Sequence, residues 1–552
     1  MENLEYIDQE EIKTKALSLK KAGFEILLDL TIIDYLTYIE KKETRFEAIY
    51  IFRSLKLNKT KTIKTKLYSE SIESLSEIYD SANWLEREAF DQYGVIFDNH
   101  PNLKRILNHH EFIGHPLRKD YNITDYQLCH KSDSLMDEMG LKLAEKNYLK
   151  KEDLPFSEVK NDELGTNLMF LNIGPSHPAS HGTIRNLVAL DGEQIITAVS
   201  EIGYLHRGFE KSCENHTYNQ IIPYTDRLNY CSAMLNNVAF SKAVESILDI
   251  EIPDRAKFIR VIISELSRVI DHLVCLAAQL VDCGGLTNFW YLYNQREEAY
   301  SLIQKLTGAR LTNSFTRVGG INYDFYDGFE SDLEDTIKKI ENGVDDALCL
   351  IAKNRIFLDR IQDVCPISSK EALSFGFTGP TLRASGVDAD LRRDNPYYYY
   401  DTFDFSIPVG SVGDIYDRVM VRFEEINQSI SIIRQAMKII PDGAINADAP
   451  NAVLPAKKDV YSNIEGLMNH FKLVFDGVKV PKGEYYDSLE AANGELGFYI
   501  VSDGSGTPYK VKVRPPCFFN MAAMGKSVEK HQVADAILQL GSLNIIAGEL
   551  DR

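Results

Sequence analysis

Apolar residues recur along the chain with three different rhythms, and the changes of rhythm mark out its organisation. Residues 10–22 have them at helical spacing until Gly23 ends the run. Residues 24–33 and 46–55 are rich in β-formers, and the second stretch alternates apolar with polar positions as a strand does. Helical spacing resumes near Ser71 and continues through Trp84, Leu85 and Phe90 to Gly94, whose freedom at positive φ suits a helix C-cap. A loop-like stretch runs on to Tyr121. Residues 130–165 are dense in charge, with Lys150, Lys151, Glu152 and Asp153 ahead of Pro155, and read as a cleavage-tolerant linker carrying one short amphipathic helix. Further on, residues 168–171 and 187–190 are predicted as short strands around a loop of Gly, Pro and His. A largely helical region follows. Its clearest helix starts after Pro253, where Ile259, Ile262, Leu266, Val269, Leu273, Leu276 and Leu280 form one apolar face until Gly284 and Gly285 stop it. Four consecutive tyrosines, Tyr397 to Tyr400, precede a mixed tail with a hairpin expected at Asp503, Gly504 and Ser505.

These elements predict an α+β protein. A small N-terminal α/β domain spans residues 1–129, a charged linker spans 130–165, and a large, mostly helical domain with a small β region spans 166–552. A chain of 552 residues exceeds what one hydrophobic core usually organises, which agrees with that division. With 81 acidic against 61 basic residues the net charge is -20, so a nucleic-acid partner is disfavoured. The most apolar candidate for a membrane span, His272 to Val281, is closed by Asp271 and Asp282. The N-terminus has no basic start or apolar stretch of a secretory signal, so a cytoplasmic chain is expected. Its eight cysteines include no C-x-x-C pair; they read as small buried hydrophobes, and no metal is expected to be bound by this chain.

The segment richest in chemistry is Asn172 to Gly182, NIGPSHPASHG. Its two histidines, His177 and His181, have the four-residue spacing of a zinc helix. However, Pro175, Pro178, Gly174 and Gly182 oppose a regular helix, and no glutamate follows the first histidine. A tight loop presenting imidazoles is left. Imidazole is suited to donating a proton near neutral pH, although turn histidines of no chemical role would read the same way.

From about residue 166 onward the sequence resembles the 49 kDa (D) subunit family of respiratory complex I. The resemblance rests on Gly174 to Gly182, GYLHRGFEK from Gly203, DRLNY from Asp226, ELSR from Glu265 and GELDR from Gly548. Independently, WLERE from Trp84, Asp91, Gly94, His100 and Pro101, RIL from Arg105 and GHPLRKDY from Gly114 resemble the 30 kDa (C) subunit family.

The resemblance implies a subunit of a proton-translocating NADH:quinone oxidoreductase with a hydrogenase-large-subunit-like fold in its larger half. In that family the quinone headgroup, of menaquinone or ubiquinone, lies between a histidine and a tyrosine matched by His181 and Tyr230. An aspartate matched by Asp282 pairs with the histidine. Arg207 and Arg268 match arginines near the terminal iron–sulfur cluster, which an adjacent subunit holds, while NAD(H) is used by other subunits. Many relatives carry a cluster-side histidine where this chain has Thr312. The partners implied are other peripheral-arm subunits and the membrane-arm subunits at the quinone channel, with the chain peripheral on the cytoplasmic face of the inner membrane. A [NiFe]-hydrogenase large subunit is the nearest alternative, but Arg207 and Glu549 to Arg552 stand where its two C-x-x-C pairs are needed. A purely structural connecting subunit is another. NADH, ferredoxin or flavodoxin as electron donor would each be oxidised by other subunits.

Overall fold

The computed structural model describes residues 4–125, 127–128, 134–146, 148 and 168–552. Of the linker, only the helix expected there (α3, Leu135–Glu145) and residues beside it fall within these limits; the rest of the linker, and Cys129, lie outside the described residues.

The N-terminal part is a four-stranded sheet of order β1-β4-β3-β2, from β1 (Leu4–Ile7), β2 (Ile26–Asp34), β3 (Phe46–Ser54) and β4 (Lys59–Leu67). Helices α1 (Ile12–Lys21) and α2 (Asp80–Tyr93) accompany it. Strand β4, KTKTIKTKL, has no counterpart among the predicted elements, because only Ile63 and Leu67 in it are apolar. Residues 71–73, expected in a helix, instead form a short strand parallel to Ile96–Asp98, and the helix begins at Asp80. Gly94 ends that helix at φ +77, as predicted.

Every residue of β3 is buried, although its sequence alternates. Phe46, Ala48, Tyr50 and Phe52 enter the main core. On the other face Ile49 and Ile51 join Ile26 and Leu28 in a second cluster completed from the distant C-terminal part by Tyr499, Val501 and Tyr509. Tyr499 and Val501 belong to an antiparallel sheet of β8 (Gly483–Ala491), β9 (Gly494–Ser502) and β10 (Lys510–Arg514), which Tyr509 directly precedes; its first connection is the tight turn at Ala492 and Asn493 and its second spans the predicted hairpin residues 503–505.

Polar positions of the N-terminal sheet are therefore buried too and need partners. Arg53 pairs with Glu495 at 2.8 Å, and Lys64 with both Glu47 and Glu484 at 2.8 Å. Glu88 on α2 binds Lys512 and Arg552, both buried. Burial alone would raise the Glu88 carboxyl, but Arg552 and Lys512 hold it at about 2.

The C-terminal part opens with an antiparallel sheet of β5 (Leu168–Ile173), β6 (Arg185–Asp191) and β7 (Gln194–Glu201), on which α3 packs through Leu135, Met139 and Leu143. Beyond it, the predicted long helix is α4 (Asp254–Asp282), buried for most of its length. One further helix, α5 (Ile464–Phe475), is unlike the others: Ile464, Leu467, Met468, Phe471, Val474 and Phe475 are all exposed. Helix α6 (Val533–Leu543) lies along α4, followed by the terminal turn Ala547–Asp551. No helix among the described residues is long and apolar enough to cross a membrane.

Removing the Glu88 carboxylate would leave the two buried cations Lys512 and Arg552 to share the more distant Glu210, at 3.7 and 3.5 Å. Glu88→Ala is expected to destabilise the protein by about 3–5 kcal/mol, read as a lowered midpoint in chemical denaturation, whereas Lys339→Ala, at an exposed ion pair, should change it by less than about 1 kcal/mol.

Candidate functional site

The histidine loop follows from its prolines and its local caps. His177 is spent on the loop itself, since its Nδ1 accepts the Ala179 N–H at 3.1 Å. The buried Ser180 hydroxyl sits 2.6 Å from both the His177 and Gly182 carbonyl oxygens. One 3-10 turn, Pro178–Ser180, then delivers His181 in the left-handed region at φ +52. Histidine is among the few side chains tolerated there. The strained position projects the ring toward the end of α4, where Nε2 lies 2.6 Å from Asp282 Oδ2. Both side chains keep about a fifth of their surface exposed (20% and 18%), so the pair faces outward on one side.

An aspartate in the last turn of α4 opposes the helix dipole. A hydrogen bond from the His181 ring offsets that cost and fixes which ring nitrogen carries a proton toward the helix. The other nitrogen, Nδ1, is left facing away from Asp282.

Tyr230 begins another 3-10 turn, Tyr230–Ser232, capped by the Asn229 side chain. Its ring is 38% exposed, and its hydroxyl makes no hydrogen bond to any described residue. Burial of its surroundings pushes the phenol up to about 12, so it keeps its proton at neutral pH. His181 and Tyr230 are both tied to α4, the first at Asp282 and the second through Asn229 to Asp271.

The C-terminal segment ties the remaining motifs together. Asp551 accepts the N–H groups of Gly203 and Leu205 at 2.9 and 2.8 Å, and the carbonyls of Asp551 and Arg552 lie 2.7 and 2.8 Å from His206 Nδ1. A side chain at Gly548 would collide with the Arg227 and Leu228 carbonyls at 2.5 and 2.7 Å. These close approaches bring GELDR, GYLHRGFEK and DRLNY to one place.

Arg207 is exposed beside Arg227, with Nη2 donating to the Arg227 carbonyl at 2.6 Å. Burial and the neighbouring Arg227 cation both lower its pKa. The loop after Thr312 reaches the same spot, where Ser314 N–H donates to Asp226 at 3.1 Å. Arg227 is not among the residues that sequence reasoning selects; its place inside DRLNY is the available signal. Arg268 is not part of this surface. It is fully buried, and its guanidinium is used by Glu265 and by the carbonyls of Glu490 and Ala491. No group of three or more His, Cys, Asp or Glu suited to a metal ion occurs among the described residues. The described cysteines are all free, with Cys213, Cys275, Cys365 and Cys517 buried and Cys349 exposed.

Glu549 lies beneath the site, 2% exposed, accepting the Cys517 N–H at 3.1 Å. Burial raises its pKa to about 7. A carboxyl raised in the folded state stabilises fully below its unfolded pKa of about 4.3, and that contribution is lost as pH rises toward 7. Glu549→Gln should thus raise the thermal midpoint relative to the unsubstituted protein at pH 8 and do so far less at pH 5.

Residues 282–552 match the sequence model of the respiratory-chain NADH dehydrogenase 49 Kd subunit, and residues 5–127 match that of the 30 Kd subunit. The NADH-quinone oxidoreductase C/D subunit of Bdellovibrio bacteriovorus is 47% identical over 99% of this chain and 94% of its own length. The NADH-quinone oxidoreductase D subunits of Myxococcus xanthus and Pelobacter propionicus are 51% and 50% identical, each over 70% of this chain and 94% and 96% of their own lengths. The chain therefore belongs to the C/D subunit family of the NADH-quinone oxidoreductases, which joins the 30 kDa and the 49 kDa complex I subunits in one polypeptide.

Proposed function

We propose that this oxidoreductase subunit forms part of the site at which the assembled complex reduces quinone, with His181 and Tyr230 as the headgroup donors and Asp282 as the partner of His181. The observation that carries the reading is the 2.6 Å contact between His181 and Asp282, made across 101 residues of sequence at a partly open surface. On this reading residues 1–129 and 166–552 are the two functional halves, joined by 130–165.

Reduction of a quinone to a quinol adds two electrons and two protons, one proton at each carbonyl oxygen on opposite sides of the ring. Two donors must therefore converge on it. Tyr230 keeps its phenolic proton at neutral pH and spends it on no described residue, so it can donate to one oxygen. His181 can donate to the other. That proton leaves Nδ1 of the doubly protonated ring, which keeps its Nε2 proton on Asp282 and regains the Nδ1 proton from solvent. The electrons would come from the terminal iron–sulfur cluster of a neighbouring subunit, beside which Arg207 and Arg227 would supply positive charge favouring the reduced cluster. The buried Arg268 would act there only through the core network around Glu265. The larger assembly would include the peripheral-arm and membrane-arm subunits at the cytoplasmic face of the membrane.

In the assembled complex, His181→Ala or Tyr230→Phe should slow quinone reduction by roughly 10²- to 10⁴-fold while electron delivery to an artificial acceptor is kept. A parallel fall in both rates would refute the donor assignment. Thr312 does not titrate, so the midpoint potential of the neighbouring cluster, followed by EPR between pH 6 and pH 8, should change little with pH and acquire a downward slope in Thr312→His. A steep slope without the substitution would overturn this.

A further inference from the structure

Among the described residues nothing holds Tyr230 by its hydroxyl, so the position of its ring depends on the backbone from which it rises. That backbone is locked from the buried side. Asn229, 1% exposed, caps the 3-10 turn by accepting the Cys231 N–H on Oδ1 at 3.1 Å, and its own carbonyl accepts from Asn236 at 2.9 Å. Its remaining group, Nδ2, donates to Asp271 Oδ2 at 2.6 Å.

Asp271 is 1% exposed in the middle of α4 and pairs with no cation among the described residues. Its other oxygen accepts from Asn544 at 2.6 Å. A buried carboxylate without a cation is costly and must be repaid by strong, short hydrogen bonds. We infer that Asp271 is a positioning residue for Tyr230: it clamps the Asn229 side chain on which the Tyr230 turn is built. This rests on the reading of Tyr230 as a quinone donor.

The geometry extends the point. Asp271 and Asp282 are eleven residues apart, about three turns, and so share a face of α4 with roughly 16 Å between them. Between them, Cys275 and Gln279 contact the Gly541 and Leu538 carbonyls of α6. One helix face, seated against α6, thus sets both proposed donors: Asp282 directly at His181, and Asp271 through Asn229 at Tyr230.

Hydrogen-bond polarity supplies the test. Asp271→Asn places an amide donor against the amide of Asn229 or Asn544. Asn229→Asp places two carboxylates face to face. Combined, they restore every bond with one polarity reversed: Asp at 229 still accepts from Cys231, Asn at 271 donates to it and accepts from Asn544. Asn229→Ser is a milder cut, which keeps a capping oxygen but cannot reach Asp271.

In the assembled complex, Asp271→Asn and Asn229→Ser are expected to lower kcat/KM for quinone by about 10- to 100-fold. Electron transfer to an artificial acceptor and the yield of complex should hold. The combined exchange should recover to within about threefold, and Asp271→Asn should cause no further loss in a Tyr230→Phe background. If Asp271→Asn does not assemble, Asn229→Ser and the exchange carry the same comparison. A loss in the Tyr230→Phe background equal to that in the parent, or no recovery in the exchange, would overturn the positioning role while leaving Tyr230 a donor. No effect of Tyr230→Phe itself would instead overturn the donor reading, and this inference with it.

Discussion

Much of this structure depends on one constraint: α4 is buried on its polar side as well as on its apolar side. Arg260, Glu265, Arg268, Asp271 and His272 all lie in the protein interior. An ionised group taken out of water is tolerated only with partners of matching charge or hydrogen-bonding capacity. Arg260 therefore takes Glu245 and the Tyr398 hydroxyl, and Glu265 takes Arg392, the Tyr400 hydroxyl and Ser429. His272 meets Glu425, which also binds Arg383. The tyrosine run and the helix Ile415–Ile439 are fixed to α4 by these demands. Such a network adds little net stability over a hydrocarbon core, but it tolerates few alternative packings, and a site needing two donors at a set separation benefits from that restriction.

The same logic joins the two family-like halves. Glu88, Arg53 and Lys64 of the N-terminal sheet and α2 find their counter-ions on β8–β10 and at Arg552. Tyr499, Val501 and Tyr509 complete its second apolar cluster. The N-terminal part is thus held by buried contacts independent of the linker, and Arg552 connects α2 to the segment that also caps His206.

What can be read from sequence is whatever local pattern encodes. The apolar stripe of α4 and its glycine stop give its limits closely, as does Gly94 for α2. Strand β4 is invisible because lysines and threonines hide its apolar face, and the burial of Lys64 depends on Glu484, some 420 residues later. Residues 71–73 carry helix-compatible spacing but pair with a strand beyond the helix. At the site, spacing alone does not separate a reactive histidine from a turn histidine; in the structure His177 is the turn residue and His181 reaches Asp282. Family resemblance is what points to His181, Tyr230 and Asp282, and also to Arg268, which the structure places in the core. The Asn229–Asp271 contact leaves no local signature, since neither residue breaks the pattern around it.

The exposed stripe on α5 has a consequence for how the isolated chain behaves in solution. Six apolar side chains from Ile464 to Phe475 face outward on a molecule of net charge -20. Charge repulsion acts over distance and keeps copies apart, while attraction between stripes acts only at contact. At 0.15 M salt the Debye length is about 8 Å, so most of the repulsion is screened and the contact attraction is not. Ionic strength therefore sets how far charge holds copies of the free polypeptide apart, whereas the apolar stripe on α5 stays exposed at any salt concentration.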